Sequence, residues 1–193
     1  MRILAIAVLA GSMLHAAEVL HVRDEGTDAF FQKTDGCIVS TYQVNVSATT
    51  LKVPSVPVQQ QSMATLAIGR FNVCTGTPIL SAYGGAPVTS AEFQIAQDLS
   101  TASLRASIVL LDQSGQSVLT TLSITWTATE SVSQGTSSFH TSAPGMRVNG
   151  RSHGRSRSAL ASGQIVVTGV TALLDQSVFA QLRQNSSGTV VID

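Results

Sequence analysis

Between Ala102 and Ala128 the chain alternates apolar and polar residues with a period of two. Ala102, Leu104, Ala106, Ile108 and Leu110 are interleaved with Ser103, Arg105 and Ser107; Val118, Leu122, Ile124 and Trp126 are interleaved with Ser117, Thr121, Ser123, Thr125 and Thr127. In an extended backbone successive side chains point to opposite faces, so each run predicts a strand with one apolar and one polar face. The polar, glycine-bearing stretch 112–116 has hairpin length, and the two runs predict a β-hairpin. Ser and Thr on the second face predict a sheet covered on one side only.

The same periodicity recurs more weakly elsewhere. After Cys37, Ile38, Tyr42, Val44 and Val46 fall on one face and Gln43, Asn45 and Ser47 on the other. Pro54 and Pro57 make 52–61 an extended, edge-like connection. Residues 63–74 predict a strand with a bulge at Gly69, and 79–83 a strand broken by Gly84-Gly85. Residues 165–170 and 188–192 return to strand character. Residues 175–184 predict one or two helical turns capped by Asp175 or Ser177, with Val178, Phe179 and Leu182 inward. Many short strands and no repeating unit predict an all-β fold: an antiparallel, sandwich-like two-sheet domain with at most one short helix near the C-terminus.

The ends of the chain set its organisation. Arg2, the apolar run 3–10 and the small residues Gly11, Ser12, Ala16 and Ala17 have the order of a secretory signal, expected over 1–17. Cleavage after Ser12 suits small-residue preference better than cleavage after Ala17, which leaves His15 at the −3 position. The apolar run is too short to span a bilayer, and no transmembrane segment is expected in the mature chain. Residues 18–35 carry five acids and read as an exposed acidic lead-in, with Phe30-Phe31 as first anchor; 36–193 reads as a single β domain. In an exported chain, Cys37 and Cys74 are expected to form one disulfide.

Composition narrows the function. Only 11% of residues are charged and the formal net charge is zero, which gives no general attraction to nucleic acid. Gly150-Arg151-Ser152-His153-Gly154 matches the letters of the hydrolase nucleophile elbow, but the segment after Gly154 has strand character and no histidine lies beyond His153. His140 and His153 lack the spacing and the fixed acid of a metal site. No catalytic residue, metal or cofactor is nominated.

One constellation departs from chance. Arg147, Arg151, Arg155 and Arg157, with His153, lie in a stretch without an acid, and all five are odd-numbered. In an extended segment they project to one side, a geometry suited to sulfate, phosphate or carboxylate groups. The alternative is a solvated loop, or arginines paired with the acidic lead-in. The expected function is an exported, non-catalytic β domain with a structural or binding role, its partner an anionic polymer or a surface protein met through 147–157. A secreted hydrolase with a dispersed site is the alternative.

Overall fold

The computed structural model describes residues 20–53, 56–143, 146–168 and 170–188. The expected leader, 1–17, and all of the expected last strand beyond Gly188 lie outside them. The strands are β1 (His21–Asp35), β2 (Ile38–Lys52), β3 (Gln59–Asn72), β4 (Thr77–Pro87), β5 (Phe93–Ile95) and β6 (Thr101–Asp112). They continue as β7 (Ser117–Ala128), β8 (Ser133–Ala143), β9 (Met146–Val167), β10 (Val170–Leu174) and β11 (Phe179–Gly188). The fold is all-β and antiparallel, as the alternation predicts.

The two inner faces of this sandwich-like packing belong to one sheet wrapped on itself. Pairing runs β1–β2–β3–β4–β6–β7–β9–β11 and returns to β1, so these strands close a barrel in meander order. The long β9 holds the closure. Its C-terminal part lies between β7 and β10, and its N-terminal part between β8 and β11.

Closure turns the apolar faces of the ring strands toward one core, while residues 133–142 of β8 stay exposed. Val44, Val46, Leu66, Leu104, Ile108, Leu110, Trp126, Ile165 and Leu182 are fully buried. The Trp126 indole donates to the Asp28 carbonyl at 3.1 Å, linking β7 to β1 across the interior. The hairpin 102–128 forms as expected, Ala102 opposite Trp126 and Leu111 opposite Ser117. Asp112 Oδ1 accepts from the amides of Ser114 and Gln116 and so organises the turn.

Four expectations need correction. From His21 the acidic lead-in is strand β1, hydrogen-bonded to both β2 and β11, with Ala29 and Phe31 in the core. Residues 179–184, expected as helix, belong to β11: Ala180 and Leu182 are buried while Val178 and Phe179 are exposed, a period of two set by ladders on both sides. β4 continues through Gly84-Gly85, because β6 approaches so closely that a Cβ at Gly84 would stand 2.2 Å from the Val109 carbonyl oxygen. The irregularity expected at Gly69 falls between Arg70 and Phe71.

The two ends of the barrel differ. At one end, residues 88–100 fold over the opening, burying Val88, Phe93 and Leu99. This plug is tied to β3 by Val88 N to Ser62 O and to β7 by Ala128 N to Ser100 O. At the other end the β1–β2 and β3–β4 turns are joined by the Cys37–Cys74 disulfide, with Cα atoms 5.4 Å apart.

Candidate anion-binding rim

The expected cationic segment lies in β9, and the β8–β9 ribbon it forms runs past the end of β11, whose last pair is Gly188 with Arg151. The register fixes its faces. Arg157 stands opposite buried Leu182, Arg155 opposite Gln184, His153 opposite Ser186 and Arg151 opposite Gly188. These side chains therefore share the face that continues from the barrel interior. Arg147 occupies a register position opposite Ser142, further along the ribbon.

Arg151, His153, Arg155 and Arg157 divide into two pairs. Arg155 donates to the Gln97 carbonyl at 3.1 Å and to Gln184 Oε1 at 3.4 Å. Arg157 donates to the Glu130 carbonyl at 2.7 Å and to the Asp98 carbonyl at 3.4 Å. Both clasp the plug onto β9. Hydrogen bonds from the Ser100 hydroxyl and amide hold the Asp98 carboxyl below the usual carboxylate range, and the Arg157 charge adds to the effect. Arg151 and His153 remain exposed, the His153 ring 3.3 Å from Thr136 Oγ1.

The alternative, in which the arginines of 147–157 pair with the acidic lead-in, is not seen at Arg151, Arg155 or Arg157. Among the described residues the ion pairs are Arg23–Glu25 at 2.8 Å and Arg183–Asp28 at 3.0 Å. Neither involves β9.

Register adds cations that are far apart in the chain. His21 pairs with Lys52 on β2 and with Gly188 on β11, and Gly188 pairs with Arg151. Lys52, His21 and Arg151 thus stand in one cross-strand row. The next row holds Thr50, Arg23, Ser186, His153 and Thr136. The His21 ring leans over Gly188, where a Cβ would meet Nδ1 at 3.1 Å. From Lys52 to Arg151 is three strand spacings, about 14 Å. Among the described residues in these rows and the one after them the acid is Glu25, and Arg23 pairs with it. The opposite, outer face holds a cavity of about 660 Å³ lined in part by Asp24 and Arg183. There Asp24 accepts from the Thr49 hydroxyl, Arg183 pairs with Asp28, and Arg155 reaches the cavity edge.

The nucleophile-elbow letters fall inside β9, with 151–154 paired on both sides, where Ser152 Oγ lies 2.7 Å from Ser137 Oγ on the face away from His153. A strained strand-to-helix turn is what that chemistry requires, and 150–154 is continuous strand. His140 bonds Asn149 through Nδ1. Among the described residues no group of three or more His, Cys, Asp or Glu is placed to hold a metal.

No protein-family model matches the chain, and no curated protein does. Among solved structures, an acetoacetate decarboxylase-like enzyme from Sphingomonas wittichii RW1 is similar at a TM-score of 0.28 and 7% identity, covering 91% of this chain and 92% of that one. A protein described as AttH from Nitrosomonas europaea is similar at a TM-score of 0.33 and 13% identity, covering 94% of this chain and 53% of that one. Likeness at this level carries no argument about either fold or function. The class rests on the strand pairings themselves: a closed antiparallel barrel with a cationic rim.

Proposed function

We propose that the protein is an exported, non-catalytic barrel domain that binds an anionic polymer at or outside the cell envelope through this rim. The observation that carries the reading is the alignment of Lys52, His21 and Arg151 in one row, with Arg23 and His153 in the next. Guanidinium and ammonium groups at strand spacing meet the repeating charges of a sulfated, phosphorylated or carboxylated chain. The signal-like order of 1–17 and the Cys37–Cys74 disulfide support export, since such links persist in oxidising compartments. The test is retention on an immobilised sulfated polysaccharide across a salt gradient. A Lys52→Ser/Arg151→Ser variant removes rim charge and leaves the Arg155 and Arg157 clasps intact. Earlier elution of the variant is expected; co-elution with the wild type retires the polymer and leaves a surface protein as the partner to seek.

A further inference from the structure

The opposite end of the barrel holds a cavity of about 400 Å³ with a different chemistry. Its existence follows from the sheet topology. β1 pairs with β11 only as far as Phe30 opposite Phe179, so Phe31 to Asp35 are bonded on the β2 side alone. Among the described residues β10 is bonded to β9 alone. The sheet therefore parts between the end of β1 and β10, and the cavity sits in that seam.

Its lining is graded by depth. The rim row is Lys33, Ser40, Arg70 and Leu80, successive partners on β1, β2, β3 and β4. The next row inward is Phe31, Tyr42, Ile68 and Ala82, all buried. Val167 and Ala172 face them from the β9–β10 hairpin. Below lie Val44 and Leu66, with no exposure, so the pocket is shallow and the barrel centre is filled. Lys33 and Arg70 flank Ser40 with Cα atoms about 10 Å apart, two strand spacings. Neither cation forms an ion pair among the described residues; Asp35, opposite Ile38, also lines the mouth one row further out, so two cations face one carboxylate there.

We infer that this mouth is a binding site for a small organic anion: a carboxylate, sulfonate or similar head held between Lys33 and Arg70 near the Ser40 hydroxyl, on a short aromatic or branched body. The volume lies in the range of small-ligand pockets, and an apolar wall with few convergent polar groups is their usual chemistry. The filled interior excludes a long acyl chain. The site is independent of the polymer-binding rim at the other end.

The experiment uses two probes of nearly the same shape, anilinonaphthalene sulfonate and the uncharged N-phenylnaphthylamine, titrated by fluorescence. Wild type is expected to bind the sulfonate more tightly than the neutral probe. Lys33→Met/Arg70→Met removes both charge-assisted contacts and is expected to weaken the sulfonate about tenfold or more, and to leave the neutral probe unchanged. Leu80→Trp, which fills the mouth, is expected to abolish both. Lys52→Ser/Arg151→Ser is expected to change neither, which separates this site from the rim. Equal sulfonate affinity in wild type and Lys33→Met/Arg70→Met overturns the inference. So does loss of sulfonate binding in the rim variant alone, or a wild type that prefers the neutral probe. An unchanged thermal midpoint for each variant shows that the fold is retained.

Discussion

Ser177 occupies a place that a strand residue would otherwise hold. Between β10 and β11 the chain leaves the ladder, and its hydroxyl accepts from the Ala161 amide at 2.9 Å while its own amide donates to the Ala161 carbonyl at 2.8 Å. Ser177→Ala leaves a buried amide without an acceptor, and a loss of about 1–3 kcal/mol is expected from urea unfolding. Gly84 is required by close approach: Gly84→Ala places a methyl against the Val109 carbonyl, and a loss of about 1–3 kcal/mol is expected by the same measurement. Neither role was legible in the sequence. Ser177 reads equally well as a helix cap, and Gly84-Gly85 as a breaker, because each depends on a strand distant in the chain.

At the scale of elements, alternation was legible wherever one face is buried and the other wet. It located the β6–β7 hairpin nearly to the residue. It failed where a segment is short or its apolar residues are adjacent: Val178-Phe179 suggested a helical face, and the ladders of β1 and β9 overrode it. The disulfide pairing was legible because the cysteines are two in number and flank the predicted strands. Replacing both by Ser is expected to cost about 3–4 kcal/mol for the 37-residue loop they close. Within the plug the Asp98 carboxyl accepts from the Ser100 amide at 3.0 Å. The Asp98 carboxyl is held below its usual range by Ser100 and, to a smaller degree, by Arg157. A lowered folded-state value contributes stability above the ordinary aspartate range, and that contribution is lost as pH falls through the lowered value. Hydrogen exchange at 96–100, corrected for intrinsic rates, should therefore accelerate on acidification. Asp98→Asn should flatten this dependence; an equally steep response in that variant would place its origin elsewhere.

At the scale of the whole molecule, barrel closure decides which charges meet. The parity of Arg151, His153, Arg155 and Arg157 was visible in the chain, and β9 places them on one face. That Arg155 and Arg157 bond to plug and loop carbonyls was not visible, because residues 97 and 98 approach them only through the fold. Nor was the company of His21, Arg23 and Lys52, which requires the β1–β11 ladder that closes the ring. Closure gives one end of the barrel a cationic rim and the other a small mouth.

The rim is tested most directly by recording amide and side-chain NMR shifts of the isotope-labelled protein during titration with a sulfated oligosaccharide at low salt. Exposed charges attract such a ligand through a field that salt screens over roughly 8–10 Å. Shifts are expected at residues 21–23, 50–52 and 151–155 alone, reversed by added salt, with Lys33, Ser40 and Arg70 unmoved. Shifts centred on the opposite mouth or on the outer face, or none at these rim positions at saturating ligand, would contradict a polymer-binding rim.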